Sequence, residues 1–317
     1  MDLSPTTVEL ALLAFFASVV NGAVGYGFSS IVTPVATFWY ANKILNPALV
    51  LIELVVNVTL LVRERRFIGV TYARALPLIY GLLPGVIVGS LGLVLISATN
   101  VRIVIYALIL PLTVLQLLGY RRHIVHEKRA GPFLGAGVGF LYALTTISGP
   151  PLALFWRNQG LTKDEFRCAI AQVRVAEASF TGVSYLLLGL FTPDAMALLP
   201  PLFLPVLIGV PLGTVLLQSV SRDFFSRLVM AVDGVIVSYG LYSVLVKAKI
   251  LSDFEGIVFA IVAIVAIVVL AARVLLRLPA ITAKTERALL AAASATPGAL
   301  ANGDPAARAT GDLSLHP

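Results

Sequence analysis

Long apolar runs separated by short polar stretches cover most of the chain. Nine such segments lie at 6–38, 45–62, 75–98, 101–118, 131–156, 165–190, 195–220, 224–246 and 256–276. A run of roughly 20 apolar residues is long enough to cross a bilayer as a helix. The pattern therefore predicts an all-α polytopic membrane protein without a soluble domain between its segments.

The first and fifth segments contain residues that disfavour a continuous helix. Segment one holds Gly22, Gly25, Gly27 and Pro34, and segment five holds TTISGPP from Thr145 to Pro151. Glycine lets the backbone turn, and proline removes a hydrogen-bond donor. We expect each segment to enter the membrane, break and return as a re-entrant helix. One long, tilted and kinked helix is the alternative.

The segments repeat along the chain. PVATFW at 34–39 returns as PLALFW at 151–156, an offset of 117, and Gly85 and Gly89 return as Gly209 and Gly213, an offset of 124. Two matches in the same order indicate a duplication, which predicts membrane repeats at 1–118 and 131–247. Duplicated halves that enclose a site are a common transporter plan.

Two regions follow the repeats. Residues 254–276 predict an additional transmembrane helix, which makes either a homodimer contact or an extra lipid anchor. Residues 277–317 end in a stretch rich in Ala, Gly and Pro without apolar periodicity, which predicts a disordered tail.

The positions of the basic residues test how the halves are oriented. If every segment crosses once, nine basic residues face twelve on the other side, which gives no bias. If segments one and five return, seventeen face four. The second arrangement satisfies the positive-inside rule. It also inverts the second half relative to the first and places the C-terminal tail in the cytoplasm.

Composition narrows the function. The chain is 59% hydrophobic and 12% charged with mean hydropathy +0.96, and soluble domains carry about twice that charge. The net charge of +7 lies mostly in loops, so it does not indicate a nucleic-acid partner. The single cysteine excludes an intramolecular disulfide. The three histidines lie in loops or the tail, so the sequence predicts no metal cluster. No catalytic constellation or phosphate-binding loop is present, so we expect neither an enzyme nor a cofactor.

The two breaks predict an anion site. Broken backbone inside a membrane is tolerated only where protein or water satisfies it. A break also exposes a helix N-terminus, which attracts negative charge. The predicted substrate-binding residues lie at the breaks or on the next helix of each half: Gly22, Gly25, Gly27, Ser29, Ser30, Pro34, Asn57, Thr145, Thr146, Ser148, Gly149, Pro150 and Arg174.

Four charged residues interrupt the apolar segments: Glu53, Arg174, Glu177 and Asp233. Arg174 either clamps an oxyanion or pairs with Glu177 at i+3. The three acidic residues are candidates for carrying a coupling proton, and Glu53 and Asp233 have the alternative of tying helices together. A cation carrier would concentrate carboxylates at the breaks, and the sequence places none there.

Several stretches resemble the sulfite exporter TauE/SafE family, also described as the four-toluene sulfonate uptake family. They are NGAVGYGFSSIVTP, GFLYALTTISGPPLALFWRNQGLTKDEFRCAIA, GLLPGVIVGSLGLVLI and LIGVPLGTVLLQSVS. The resemblance covers about 6–247 and implies passage of sulfite, sulfoacetate or other sulfonates. The first break departs from the family's common glycine triplet, because it reads Gly25-Tyr26-Gly27-Phe28.

The sequence thus predicts a secondary transporter in the cytoplasmic (inner) membrane. Its partners would be a small anionic substrate and the lipid bilayer, and the halves would rock against each other around the site. The alternatives are a carrier of a carboxylate or another small solute, and a non-transporting membrane scaffold subunit.

Overall fold

The computed structural model describes residues 5–118, 127–156, 159–216 and 222–294. Side chains are described throughout these ranges except at positions 24, 116, 163, 216, 222–226, 228–229, 233 and 277–294. The chain divides into the units Met1–Ala271 and Ala272–Pro317, and all contacts below lie within the first.

Helices form all the regular structure of the described residues. They are α1 Pro5–Val24, α2 Phe28–Ala36, α3 Asn42–Arg63, α4 Ile68–Leu95, α5 Ala98–Leu117, α6 Glu127–Thr145, α7 Gly149–Trp156, α8 Lys163–Leu187, α9 Pro193–Ala197, α10 Leu199–Leu216, α11 Arg222–Lys247 and α12 Asp253–Ser294. A 3₁₀ turn, Arg65–Phe67, joins α3 to α4. The first and fifth apolar segments are therefore each divided into two helices.

Seven helical stretches in the described part of the chain are long and apolar enough to cross a membrane. They are Pro5–Ala23, Asn42–Arg63, Arg65–Leu95, Ala98–Leu115, Pro193–Val215, Met230–Lys247 and Asp253–Leu276. Neither α6 nor α8 is among them, because charged and polar residues lower the hydropathy of both. The predicted all-α membrane protein is confirmed.

Contacts at helix termini define two ends of the bundle. Arg66, after α3, lies 3.8 Å from the carboxylate of Asp164 in the first turn of α8. We call this the Arg66 end. Lys43, in the first turn of α3, donates to the carbonyl oxygen of Val94 near the end of α4 at 2.8 Å. We call this the Lys43 end.

Glycines let two pairs of helices pack with their backbones in contact. A Cβ at Gly81 or Gly85 of α4 would overlap a carbonyl oxygen of α6. A Cβ at Gly22 of α1 would overlap the Val210 carbonyl of α10, and one at Gly213 would overlap the Val19 carbonyl of α1. We call these the α4–α6 and α1–α10 glycine seams. Elsewhere, α3 packs on α8 and α5 packs on α11.

The helix boundaries repeat with one spacing. The ends of α1 and α6 (24 and 145), the starts of α2 and α7 (28 and 149) and the starts of α3 and α8 (42 and 163) are each 121 residues apart. The 117-residue offset from the sequence is thus four residues short, about one helical turn. Apolar segments still match after such a shift, because it leaves the same helix face in register.

The last helix is longer than the sequence predicted. α12 runs to Ser294, so residues 277–294, assigned to the disordered tail, are helical. The stretch RALLAAAS at its end consists mainly of strong helix formers. Residues 295–317 lie outside the described residues.

Candidate functional site

The first break occupies residues 25–27 between α1 and α2. Gly25 has φ +92° and Gly27 has φ +111°, in the left-handed region that favours glycine. The Gly25 amide makes the last helical bond of α1, to the Asn21 carbonyl at 2.7 Å. The predicted interruption of this segment is confirmed.

The second break occupies residues 146–148 between α6 and α7. Thr146 has φ +62°, which is a strained conformation for a β-branched residue. The Thr145 hydroxyl accepts a hydrogen bond from the Ile147 amide at 3.1 Å. This break is therefore held by side-chain hydroxyls in place of glycine flexibility.

The two breaks touch each other in the interior. The hydroxyls of Thr33 in α2 and Thr146 are 2.9 Å apart and fully buried. A Cβ at Gly149, the first residue of α7, would lie 3.0 Å from the Tyr26 ring. The glycine at 149 lets the start of α7 approach the first break this closely.

A buried ion pair joins α3 to α8 beside the first break. Arg174 donates to Glu53 Oε1, and the Ser29 hydroxyl donates to the same oxygen. Arg174 is 2% exposed and Glu53 is 1% exposed. The partner of Arg174 is thus on the other half of the chain, which differs from the i+3 pair with Glu177 that the sequence offered. At the 121-residue spacing, Glu53 and Arg174 occupy equivalent positions.

Glu177 reaches the second break. The Ser148 hydroxyl donates to Glu177 Oε2 at 2.6 Å, and both residues are fully buried. With Glu53 beside Ser29, each break has one carboxylate in hydrogen-bond contact. The sequence argument that no carboxylate lies at the breaks is therefore wrong, because helix packing brings both acids to them. We call Ser29, Glu53, Ser148, Arg174 and Glu177 the central cluster.

Buried polar atoms of the central cluster retain unused hydrogen-bonding capacity. In the described residues, Glu53 Oε2, Arg174 Nε and Glu177 Oε1 have no hydrogen-bond partner. Tyr142 lies within electrostatic range of all three charged groups. Buried polar groups are normally satisfied, so these unpartnered atoms make the central cluster a candidate site for a polar ligand.

The other predicted residues have different surroundings. Gly22 lies in the α1–α10 glycine seam. The Pro34 carbonyl accepts from the Tyr106 hydroxyl at 2.9 Å and from the Thr37 hydroxyl at 3.1 Å. Asn57 donates to the Glu53 carbonyl on its own helix at 2.7 Å. Ser30, Thr145 and Pro150 are buried at the breaks, and the Asp233 side chain lies outside the described residues.

Sequence reasoning placed Arg167 in a loop, whereas the structure buries it inside the first turns of α8. Its side chain is 9% exposed and lies 3.7 Å from Glu64 Oε1. The signal was available, because Arg167 and Arg174 are seven residues apart and so share one face of a helix. It was missed because Arg167, two residues after the start of segment six at 165, was counted with the basic residues of the preceding loop.

The family comparison agrees with the resemblance in the sequence. A model of the sulfite exporter TauE/SafE family matches residues 10–241, which is most of the chain. No curated protein and no solved structure matches the chain. Together with the seven apolar helices, this identifies an integral membrane protein of a transporter family. The chain belongs to the sulfite exporter TauE/SafE family.

Proposed function

We propose that the chain is a secondary carrier that moves sulfite or a small sulfonate across the cytoplasmic membrane, with the anion bound at the central cluster. The observation that carries the proposal is the buried arginine between two helix breaks, with hydroxyl donors from both. Arginine presents several N–H donors in a planar fork that matches an oxyanion. The starts of α2 and α7 add the positive ends of helix dipoles.

Two inverted repeats explain the contacts between helices. The common 121-residue spacing supports a duplication. The packing is also reciprocal, because α1 of the first half packs on α10 of the second, and α4 of the first packs on α6 of the second. A two-fold relation between the halves would produce such an exchange.

The contacts of Arg74 support a re-entrant second break. Arg74, near the start of α4, lies 3.9 Å from Glu127 at the start of α6. It also donates to the carbonyl of Gln159, just after α7, at 3.0 Å. Both ends of the α6–α7 segment thus reach the same residue at the Arg66 end. The basic-residue count then assigns the Arg66 end and the C-terminal tail to the cytoplasm.

Electrostatics favours proton coupling. With Glu53 and Glu177 ionised, the central cluster has a formal charge of −1, and a monovalent substrate would make it −2. Two like charges about 4 Å apart at an effective dielectric constant of about 20 repel by about 4 kcal/mol. A proton on either carboxyl removes this repulsion, and a proton on Glu53 also frees Arg174. We infer that one proton accompanies each anion.

A second candidate is transport of a small cation, because each break has a carboxylate in contact. Arg174 opposes it, since a cation would have to bind beside a buried guanidinium. Flux of anions and cations through the same vesicles separates the two candidates.

The test is flux into proteoliposomes that contain the purified full chain. We expect uptake of labelled sulfite or sulfoacetate to accelerate when a pH gradient drives protons the same way. Arg174→Gln should reduce uptake to the rate of empty vesicles. Arg129→Gln, the same change at an exposed arginine of α6, should transport normally.

Loss of Arg174 also leaves Glu53 buried without its cation, which threatens folding. The double variant Arg174→Gln/Glu53→Gln keeps the cluster free of that charge and should fold but not transport. Normal anion flux in this variant would refute the proposed site. Absence of anion flux in the wild-type chain would refute the proposed function.

A further inference from the structure

A second arginine–glutamate pair lies between the central cluster and the Arg66 end. Arg167 of α8 faces Glu64, which follows the last residue of α3, at 3.7 Å. Glu64 is 5% exposed. The separation is longer than a hydrogen bond, so Glu64 neutralises the guanidinium without occupying its donors.

The donors of Arg167 are only weakly used. Its Nη2 donates to the Gly22 carbonyl at 3.5 Å, the limit for a hydrogen bond. Its Nε has no hydrogen-bond partner among the described residues. The side chain lies over the first break, where a Cβ at Gly25 would be 3.2 Å from Arg167 Cγ. A buried guanidinium with free donors at a helix break is suited to an oxyanion.

The two pairs line up along the bundle. Arg167 and Arg174 are seven residues apart, so they share a face of α8 and are separated by about 10.5 Å along its axis. Glu64, the residue after α3, follows Glu53 by eleven residues, or about three helical turns, so it lies beyond the same face of that helix. The pairs thus lie at two levels along the bundle, one at the centre and one nearer the Arg66 end.

The second break has a neutral counterpart of the Arg167–Glu64 pair. At the 121-residue spacing, Arg167 corresponds to Asn46 and Glu64 to Tyr185. Asn46 donates to the Leu144 carbonyl at 3.0 Å, and the Tyr185 hydroxyl donates to the Ala143 carbonyl at 2.6 Å. Asn46 and Tyr185 thus bond to the end of the helix before the second break, and Arg167 contacts the end of the helix before the first. Only the Arg167–Glu64 pair carries charge.

We propose that Arg167 is a second anion-binding station, which receives sulfite or a sulfonate between the central cluster and the Arg66 end. The anion takes the guanidinium donors that Glu64 leaves free, and Glu64 competes with it electrostatically. Arg63 and Asp164 are the other charged groups that act on Arg167. The proposal rests on the proposed function, because it concerns the route to the same site.

The station is tested by substituting Arg167 and Glu64 in turn, because the two substitutions should change KM in opposite directions. Transport is measured in right-side-out and everted membrane vesicles, with an impermeant maleimide on an Arg65→Cys variant showing which vesicles expose the Arg66 end. Arg167→Gln should raise KM for sulfite at that end at least about tenfold, the loss of one charge-assisted hydrogen bond. Glu64→Gln should lower KM there. KM at the Lys43 end should change far less in both variants.

Two further variants separate a binding role from a structural one. Arg167→Lys keeps the cation and should recover most of the affinity at the Arg66 end. Arg167→Gln/Glu64→Gln removes both buried charges, so it tests the station even if Arg167→Gln fails to fold. Arg129→Gln is the control for loss of an exposed cation near the same end.

The results distinguish failure of the Arg167 station from failure of the proposed function. Equal changes of KM at both ends, or a rise of KM in Glu64→Gln, would overturn the station while leaving the proposed function intact. A wild-type chain without anion flux would refute the proposed function first.

Discussion

The two helix breaks have the same backbone plan but different chemistry. At the 121-residue spacing, Gly25 corresponds to Thr146 and Gly27 to Ser148. Both Gly25 and Thr146 have positive φ, of +92° and +62°. The first break relies on glycine and on a charged pair, Arg167 with Glu64, whereas the second relies on hydroxyls and neutral donors.

This difference suggests a division of work within the site. Identical halves would place identical groups around the centre, whereas a single anion bound in one pose contacts the two sides differently. The first break adjoins Arg167 and the Arg174–Glu53 pair, so it has the groups that attract an anion. The second presents a hydroxyl and an acid, Ser148 and Glu177, which under the proposed function would orient the anion and hold a proton.

Giving the first break the residue of the second should have the largest effect on stability. Gly25→Thr puts a β-branched residue at φ +92°, which costs about 1–3 kcal/mol in backbone strain, and the close contact of its Cβ with Arg167 Cγ adds to that cost. We expect the apparent Tm in detergent to fall by several degrees. Gly137→Thr, at a helical glycine with open space around it, is the control. Equal Tm values for the two variants would mean that the backbone at 25 is not constrained.

The two serines should differ by less. Ser148→Ala removes the hydrogen bond to Glu177 Oε2 and leaves a buried carboxyl without that donor, which costs about 1–3 kcal/mol. Ser29→Ala leaves Arg174 on Glu53, so its cost should be about 1 kcal/mol or less. Thermal unfolding of both variants, with Ser148→Thr as the variant that keeps a hydroxyl, measures the difference. A larger loss in Ser29→Ala would reverse the proposed roles of the breaks.

The smallest expected effect on stability is at the first turns of α3 and α8, the helices that follow the two broken segments. Thr162 caps α8 with Glu165 in a capping box, whereas its counterpart Ala41 caps α3 without a side-chain bond. Thr162→Ala should destabilise the first turn of α8 by about 1 kcal/mol, and Ala41→Thr should stabilise that of α3 by up to about 1 kcal/mol. Hydrogen exchange of the two first turns reports each change. Unchanged protection in both would show that tertiary contacts alone hold these ends.

Much of the fold was predictable because it depends on local patterns. Apolar runs gave the helical segments, and glycine and proline located both interruptions within a few residues. The 117-residue offset failed because PVATFW and PLALFW are apolar strings that still match after a shift of one helical turn. The helical stretch 277–294 was missed because the Ala, Gly and Pro at the end of the tail dominated its composition.

The partners within the site depend on how helices pack, which a single sequence does not contain. Glu53, Arg174 and Glu177 were recognised because charge inside an apolar segment is conspicuous. Arg174 pairs with Glu53 and not with Glu177 because α3 packs on α8. Arg167 was missed because it lies two residues after the start of segment six and was counted with the loop residues, although its spacing from Arg174 was visible.

The glycine seams bear on which parts of the carrier move together. Each seam joins a helix of one half to a helix of the other, and at the glycines the two backbones lie directly against each other. Sliding there would bring main-chain atoms into collision, so we expect each pair to move as one piece. Under the proposed duplication and transport cycle, each moving body would combine helices of both repeats, and the bodies that move would differ from the units that were copied.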